Sequence, residues 1–583
     1  MKAATVLGIL GLFGFTLRAA DIAVPPGGTA LGESGELKVF VDPAHAAASR
    51  IEGGGWKIGV SKPDESRGYL AQVTLDCPAP ALAPGETVLA LVKARATGDR
   101  PSVVAKLQLA GAPYTAAADT ITLEPGAAFQ ELPVVFRITE AIPKGAAALT
   151  FLCAGKLQTV EISSARVFLY PAGTDTSNFP RIRRTYAGRE ADAPWRKAAL
   201  ERIERERKAD FSIRVMGTGG KPLANAKLTL KLRRHAFGFG SAVTAELLTA
   251  DSDDARRYRG IVDRLFSQVV FENDLKDFGW EPGAAGKEEH KQRLDRAFDW
   301  LAERKISVRG HYLMQGAVPP NLADTTDAET IRRHFLDTAK ERIDFARDRV
   351  CEWDVINHPV AWSGAELLTK RPGLEHLDRE TYTLTRGRTS LPFFVNEDQL
   401  FRPGRQADET FAYLEALQRD GFRIDGLGNQ AHFDESFLPS PEELLAVTDC
   451  FGAIVPRQAV TEYDIVTQAD EELAADYTRD ALIACFSHPA YSSFLLWGFW
   501  EGRHWKPEAA SWNRDWSIRK RGEVLEEWLG RRWTTALTVT TGDDGVARWR
   551  GFPGEYDLTT GTGEKGRPFA VSKALPDVTV GKP

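Results

Sequence analysis

The sequence has few cysteines, and their spacing does not suit a metal site. Five cysteines occur in 583 residues, and the absence of any Cys-x-x-Cys pair argues against a structural zinc site. Cys77 and Cys153 fall in the N-terminal region and could pair, whereas Cys351, Cys450 and Cys485 lie far beyond them. Most of the five are expected to be buried free thiols, and the sequence predicts neither a metal nor a cofactor.

The chain also lacks an excess of either charge. Its 74 Lys and Arg residues against 80 Asp and Glu residues give a formal charge of −6. A nucleic acid partner would favour a strongly basic surface, so none is expected. The content of 43% hydrophobic and 26% charged residues is typical of a folded protein rather than a disordered one. The length exceeds one ordinary core and therefore predicts several domains.

Long hydrophobic runs are missing beyond the N-terminus. Val6–Leu17 (VLGILGLFGFTL) is apolar, follows Lys2 and is too short to cross a bilayer. Small residues at Ala19 and Ala20 offer a cleavage site, which predicts a signal peptide over residues 1–20. An uncleaved anchor is the alternative. We therefore expect a secreted or periplasmic protein with no membrane partner once the signal is removed.

Composition shifts divide the rest of the chain. Short alternating runs between Pro, Gly and Ala turns predict a β-sandwich over residues 21–172, followed by a linker and a charged helix over 173–208. Strand-like segments at 209–233 and 531–583 are expected to pair into a small β-sandwich, because a lone hairpin is marginal in water. Between them, residues 234–530 alternate strand-like and helix-like segments, which predicts a (β/α)₈ TIM barrel.

Eight strands are predicted within the barrel. Polar residues collect where these strands end, which is the end of such a barrel that carries chemistry. The predicted strands are His235–Val243, Phe266–Phe271, Ile306–Leu313, Val350–Asn357, Pro392–Asn396, Ile424–Gln430, Ala459–Tyr463 and Ser493–Phe499.

Six short motifs follow these strand ends in order: Phe271–Lys276 (FENDLK), Arg309–His311 (RGH), Trp353–Asn357 (WDVIN), Asp425–His432 (DGLGNQAH), Thr461–Ile465 (TEYDI) and Leu496–Gly498 (LWG). In this order they resemble the motifs of glycoside hydrolase family 10, the xylanase family. The N-terminal β-sandwich, with Trp56, resembles a carbohydrate-binding module more loosely, and a sandwich without a sugar site would look much the same. The resemblance implies a monomeric hydrolase acting on a plant or algal polysaccharide or oligosaccharide.

The resemblance also implies roles for individual residues. Glu462 of TEYDI matches the nucleophile, and His432 is placed to hold it ionised. A retaining glycosidase needs such a carboxylate about 5 Å from a second, protonated carboxyl group. The residues that the resemblance places against substrate are Glu272, Asn273, Lys276, His311, Asn357, Asp398, Gln430, His432, Trp497 and Trp505.

The second carboxyl group is absent from its expected position. The residue after WDVIN, where the family has its acid/base Glu, is His358. Met314–Gly316 replaces a Trp and a His that line the sugar site in the family. Asn396–Gln399 replaces NDYN, which puts Asp398 where a Tyr normally packs. The ordinary xylanase reaction therefore cannot be carried over unchanged.

Three explanations of this departure stay open. His358 could itself be the acid/base, since an imidazole exchanges protons near neutrality. A relocated carboxylate, Asp398 or Glu397, could have taken the role. The barrel could instead have become a catalytically inactive glycan-binding protein. Because Glu462 remains while several pocket residues change together, we favour an active hydrolase. Histidines converging on Glu462 could also bind zinc, but the family resemblance already explains two of them.

Overall fold

The computed structural model describes residues 22–33, 37–78, 80–98, 101–176, 178–181, 184–277, 279–281, 283–318, 320–361, 368–467, 470–561, 563 and 565–581. They form two compact units, which divide after Arg183. The predicted signal peptide at 1–20 lies outside the described residues.

The N-terminal unit is a β-sandwich, as predicted. Its strands are β1 (Thr29–Glu33), β2 (Lys38–Val41), β3 (Ala46–Arg50), β4 (Trp56–Val60), β5 (Ala71–Cys77), β6 (Thr87–Gly98), β7 (Val103–Leu109), β8 (Ile121–Leu123), β9 (Gln130–Arg137), β10 (Ala147–Leu152) and β11 (Gln158–Tyr170). One sheet runs β3-β4-β11-β6-β9 with β1 beside β11, and the other runs β2-β5-β10-β7-β8. Alternate residues of each strand, such as Val73 and Leu75, fill the core between the sheets.

The second unit contains all the helices of more than two turns among the described residues. The strands are β12 (Ala209–Met216), β13 (Lys227–His235), β14 (Gly238–Val243), β15 (Gln268–Phe271), β16 (Ser307–Gln315), β17 (Glu352–Asn357), β18 (Phe393–Glu397), β19 (Gly426–Asn429), β20 (His432–Asp434), β21 (Gln458–Val466), β22 (Tyr491–Leu496), β23 (Ala536–Thr540), β24 (Val546–Gly551), β25 (Gly554–Thr560), β26 (Phe569–Val571) and β27 (Asp577–Gly581). The helices are α1 (Pro194–Glu206), α2 (Ala245–Thr249), α3 (Asp253–Leu265), α4 (Lys287–Glu303), α5 (Ala328–Ala346), α6 (Leu377–Arg386), α7 (Arg405–Arg419), α8 (Pro441–Gly452), α9 (Glu471–Ser487) and α10 (Lys520–Glu527).

Parallel strands close into the predicted TIM barrel. The order is β14-β15-β16-β17-β18-β19-β21-β22, and β22 returns to β14, with β20 beside β21 at the rim. Helices follow each strand and cover its outer side. The first strand begins three residues later than predicted, at Gly238, because His235 pairs with Gly554 in another sheet. The predicted fold class is confirmed.

Segments on either side of the barrel pair with each other. β12 lies between β24 and β27, and β13 lies between β23 and β25. Their inward side chains, among them Leu230 and Tyr556, belong to the same buried cluster as the barrel helices. The small sandwich is therefore built from strands that are more than 300 residues apart in sequence.

An aromatic cluster joins this small sandwich to the barrel. The His235 ring lies 5.0 Å from Phe552 and 5.5 Å from Phe486, measured between ring centroids. Burial lowers the pKa of His235 to about 3, and the charge of Arg207 acts in the same direction. The imidazole is therefore neutral, and its Nδ1 accepts a hydrogen bond from the Phe237 N–H at 2.9 Å.

All five cysteines lie within the described residues and are free thiols. Cys77 and Cys153, the pair that could have formed a disulfide, are both fully buried in the N-terminal core. Burial raises the pKa of Cys77 to about 11 and that of Cys153 to about 12, so both remain unreactive thiols at neutral pH. Across the described residues, no helix combines the length and apolar character needed to cross a membrane.

We predict that Phe552→Ala destabilises the second unit by about 3–5 kcal/mol, because it leaves a cavity beside His235 and Phe486. The measurement is urea unfolding followed by tryptophan fluorescence, which reports mainly on this unit because Trp56 is the one tryptophan before residue 184. The control Leu575→Ala, at a side chain that is 61% exposed, should change stability by less than about 0.5 kcal/mol. Equal effects of both variants would contradict this account of the interface.

Candidate active site

The carboxyl-terminal end of the barrel brings all the predicted site residues to one face. Parallel strands end at the same rim, so residues far apart in sequence meet there. Except for Trp505, which lies in the loop beyond β22, they stand in or shortly after strands β15 to β22: Glu272, Asn273, Lys276, His311, Asn357, His358, Asp398, Gln430, His432, Glu462 and Trp497.

Glu462 lies at the centre of this face and is buried. Its Oε1 accepts a hydrogen bond from Asn396 Nδ2 at 2.7 Å, and its Oε2 lies 3.4 Å from Nε2 of His432. The Nε2 of His311 lies 3.9 Å from Oε1. Burial alone would raise the pKa of Glu462, but His432, His311 and Lys276 outweigh it and lower the pKa to about 2. The carboxylate is therefore ionised.

His432 is itself held by a second carboxylate. Its Nδ1 lies 2.9 Å from Oδ2 of Asp464, which also accepts a hydrogen bond from the Trp505 indole N–H at 2.8 Å. Burial opposes protonation of His432, but Asp464 and Glu462 raise its pKa to about 10. An imidazolium between two carboxylates can donate to both at once. The arrangement thus fixes the ring and keeps Glu462 charged.

His311 has an equivalent support on the other side. Its Nδ1 lies 2.9 Å from Oδ2 of Asp354, and the buried guanidinium of Arg309 donates from Nε to the same oxygen at 3.0 Å. The Trp497 ring lies 5.1 Å from the His311 ring. The position of the imidazole beside Glu462 is therefore set by a buried ion pair beneath it.

Lys276 provides a positive charge above the same carboxylate. Its ammonium group lies 5.5 Å from the centroid of the Trp497 ring. Burial lowers the pKa of Lys276, whereas the charges of Glu462 and Glu272 act in the opposite direction. Burial raises the pKa of Glu272, which Lys276 and a hydrogen bond from Asn273 partly offset. These residues form a polar pocket lined on one side by tryptophan.

A chain of amide side chains connects Glu462 to His358. Asn396 Nδ2 donates to Glu462 and also to Oδ1 of Asn357 at 2.9 Å. Gln430 Nε2 donates to the same Oδ1 at 3.1 Å and lies 3.1 Å from Nε2 of His358. Amide orientations follow from the hydrogen-bond network, and an ionised Glu462 can only accept. The network therefore makes Nε2 of His358 an acceptor and puts the ring proton on Nδ1.

Glu397 binds the other nitrogen of His358. This carboxylate is fully buried, and N–H donors surround both of its oxygens. The donors are the Nδ1 of His358 at 3.3 Å, the backbone N–H groups of Val360, Ala361 and Asp398, and the side chain of Gln406. A carboxyl group that donated a proton to substrate would need an oxygen free of such donors. Glu397 is therefore suited to orient His358 and not to replace it.

Asp398 has a different environment. Burial raises its pKa, although His432 and His358 act in the opposite direction. Its Oδ1 accepts a hydrogen bond from the Gln399 N–H at 2.7 Å. A carboxyl group with a raised pKa beside two histidines has the properties of a proton donor. The geometry thus leaves His358 and Asp398 as the candidate donors.

Gly316 fits the backbone of His358. His358 has a left-handed backbone with a φ of 52°, and the N–H of Gly316 donates to the carbonyl of Asn357 at 2.8 Å. A Cβ at position 316 would lie 1.9 Å from the His358 carbonyl oxygen, so only glycine fits without a shift of the backbone. Gly316 and His358 both depart from the family motifs, and their backbones are in direct contact.

Several supporting residues were not predicted as part of the site. Asp464, Asp354 and Asn396 each contact a predicted residue directly, and Glu397 was weighed only as an acid. The sequence could have predicted Asp464 as part of the site, because it follows Glu462 by two residues and a strand places such residues on the same side. Among the described residues, no group of three or more His, Cys, Asp or Glu side chains is arranged to hold a metal ion.

Comparison with known proteins agrees with this geometry. The model of glycosyl hydrolase family 10 matches residues 229–520, which is half of the chain. The anti-sigma-I factor RsgI6 of Acetivibrio thermocellus is 30% identical over 379 residues, which cover 64% of this chain and 47% of that protein. Endo-1,4-beta-xylanase 1 of Arabidopsis thaliana is 22% identical over 398 residues, covering 65% of this chain and 40% of that protein. The chain therefore spans less than half the length of these relatives.

Solved structures with similar folds include xylanase 10B from Thermotoga petrophila RKU-1 in complex with xylobiose. It is 18% identical, covers 51% of this chain and 95% of its own, and superposes with a TM-score of 0.45. A psychrophilic family 10 endo-beta-1,4-xylanase covers 50% of this chain and 97% of its own, with 18% identity and a TM-score of 0.43.

We predict that the stability of the second unit falls as pH rises from about 6.5 to about 10, because the folded protein holds a proton on His432 that the unfolded chain has lost. The raised pKa of about 10, against an ordinary 6.5, means that this contribution is complete below 6.5 and lost above 10. For one proton the slope approaches about 1.4 kcal/mol per pH unit.

The measurement is urea unfolding at a series of pH values for the wild type, for His432→Gln and for His376→Gln, a change at an exposed histidine. His432→Gln should lose this slope and His376→Gln should keep it. The account of the ion pair fails if all three proteins show the same alkaline slope.

Proposed function

Because the chain belongs to glycosyl hydrolase family 10, we propose that it is a secreted glycoside hydrolase that cleaves O-glycosidic bonds in a plant or algal polysaccharide. The observation that carries this proposal is the buried, ionised Glu462 between two histidines at the rim of the barrel. Relatives with this fold are named endo-1,4-beta-xylanases, and one was solved with xylobiose. Xylan is therefore the first substrate to test.

Glu462 is proposed as the nucleophile. It is ionised, desolvated by burial, and oriented by the amide of Asn396 and the ring of His432. Attack of a carboxylate on the anomeric carbon forms a glycosyl-enzyme and breaks the bond to the leaving oxygen. Glu272, Asn273, Lys276, His311, Asn357, Gln430, Trp497 and Trp505 are proposed to contact the sugar rings around that carbon.

His358 is proposed as the acid/base. In the first step Nε2 would first have to gain a proton and exchange its contact with the Gln430 amide for one with the substrate, and would then give that proton to the departing oxygen. In the second step the neutral ring would take a proton from the water that releases the sugar, as microscopic reversibility requires. Glu397 supports this role, because a carboxylate on Nδ1 stabilises the charged ring and directs Nε2 towards the pocket. Asp398 is the alternative donor, supported by its raised pKa.

A glycan-binding protein without catalysis is the second candidate. It is favoured by the histidine at the position of the family's acid/base Glu, and by similarity to a protein named as an anti-sigma-I factor. In this case the polar pocket would hold a sugar chain without cleaving it. The N-terminal sandwich is proposed to bind glycan in either case, and the protein to act as a monomer.

We predict that Glu462→Gln lowers turnover about 10³-fold or more on any glycan that the wild type cleaves, because the nucleophile is removed. Binding should persist, since the amide keeps the shape of the side chain. The measurement is release of reducing sugar from xylan, with retardation in a xylan gel as the test of binding. Glu508→Gln, at an exposed glutamate, is the matched control. If the Glu462→Gln variant keeps most of its turnover, the nucleophile assignment is refuted.

We predict that His358→Ala lowers kcat about 10²–10⁴-fold on unactivated glycosides. On aryl glycosides, whose leaving groups need little protonation, the rate of the glycosylation step should fall far less. Glu397→Gln should lower kcat on the same unactivated glycosides, because the ring of His358 loses the carboxylate that contacts its Nδ1. Glu415→Gln, a change at an exposed glutamate on α7, is the control.

The same pair of substrates separates the alternatives. If Asp398→Asn shows the leaving-group dependence and His358→Ala does not, Asp398 is the donor. If the wild type cleaves no glycan but is retarded in the gel, the glycan-binding function replaces the enzymatic one.

A further inference from the structure

The two outer faces of the N-terminal sandwich differ in what covers them. On the sheet that contains β6 and β11, outward side chains including Leu91, Phe168 and Tyr170 form a separate buried cluster with Phe179. Ile22 and other residues of the preceding segment pack against this cluster. That outer face is therefore occupied by the unit's own chain.

The opposite sheet, β2-β5-β10-β7-β8, presents polar rows. Its inward side chains alternate with outward ones, and the strand register places the outward residues side by side. One row is Lys38, Thr74, Thr150 and Lys106; the next is Phe40, Gln72, Leu152 and Val104; a third is Asp76, Ala148 and Gln108.

Side chains in these rows contact one another by hydroxyl and amide groups. Thr74 Oγ1 donates to Thr150 Oγ1 at 3.3 Å, and Gln108 Nε2 donates to the same hydroxyl at 3.2 Å. The Lys38 ammonium pairs with Asp76, which leaves little net charge. Thr150 and Gln108 are themselves buried, so the groups that a ligand can reach on this floor include the half-buried side chains of Gln72, Thr74 and Lys106, which can hydrogen-bond a neutral polyhydroxyl ligand.

Exposed aromatic rings border this floor on both sides. Phe40, on edge strand β2, is 52% exposed, and Tyr114 is also 52% exposed. Tyr114 belongs to the opposite border, because the outward Lys106 donates to its backbone carbonyl at 3.1 Å. Tyr69, 51% exposed, lies next to Gly68, which approaches Leu152 at the end of strand β10. Three strand spacings separate β2 from β7, or about 14 Å.

We propose that this outer face, with Phe40 on one border, Tyr114 on the other and Tyr69 near the end of strand β10, binds a neutral polysaccharide chain. The aromatic rings stack on the C–H faces of the sugars, and the outward side chains of Gln72, Thr74 and Lys106 hydrogen-bond their hydroxyl groups. This proposal rests on the proposed function of the protein as a glycan-active enzyme, because the same polysaccharide would be held by the sandwich and cut by the barrel.

The experiment compares the full-length chain with the double variant Phe40→Ala/Tyr114→Ala. Affinity gel electrophoresis is run with soluble xylan, hydroxyethylcellulose and alginate, the last as an anionic polymer. The double variant should bind the preferred neutral polymer about tenfold or more weakly, while kcat/KM on a short soluble xylo-oligosaccharide stays unchanged. Leu157→Ala is the matched control, since this side chain is 62% exposed on the same unit and lies outside the three rows.

The outcomes separate this site from the barrel. Retardation by a neutral polymer that Phe40→Ala/Tyr114→Ala abolishes supports the proposal, even if the wild type cleaves nothing. Retardation that survives in the double variant but is lost in a variant of the barrel pocket, Trp505→Ala, overturns it. Retardation by alginate alone overturns it as well. Sedimentation that shows a dimer in the wild type and a monomer in the double variant would assign the face to self-association instead.

Discussion

A buried negative charge on Glu462 determines how the rest of the site is arranged. Leaving a carboxylate uncompensated in a protein interior is costly, and here three elements compensate it. His432 approaches from β20 beside the strand of Glu462, His311 approaches from β16 on the other side, and Asn396 donates an amide N–H. Each histidine in turn rests on its own carboxylate, Asp464 or Asp354. The barrel supplies these partners from separate strands because their ends meet at one rim.

The charge on Glu462 also acts at a distance. Because Glu462 can only accept, the amide of Asn396 turns its N–H groups towards Glu462 and Asn357. This fixes the amide orientation of Asn357 and then that of Gln430, which faces His358. The hydrogen bonding of His358 is thus linked to Glu462 through three neutral side chains. Buried networks of this kind behave as units, so their members cannot be exchanged one at a time without effect.

The sequence was sufficient to predict the sandwich, the closed barrel and all eight barrel strands, because alternation and helix periodicity are strong in each segment. The strand ends were less certain. His235 continues an apolar pattern but pairs in another sheet, and the choice depends on Gly554, which is distant in sequence. The positions of Glu462 and His358 followed from motifs. The roles of Glu397 and Asn396 did not, because a hydrogen-bond partner across the barrel leaves no periodic trace in the chain.

The contact between Glu397 and His358 has a consequence for how substitutions at these positions combine. The family motif NDYN has an aspartate where Glu397 stands, so a carboxylate at this position is shared with the family, and here the longer Glu397 side chain contacts Nδ1 of His358. Gly316, which accommodates the His358 backbone, adds a third position to the same set. These three positions, far apart in sequence, therefore act as one set. A substitution at one of them alters the backbone or the hydrogen-bond partner that the other two meet, so the effects of substitutions at these positions are not expected to add.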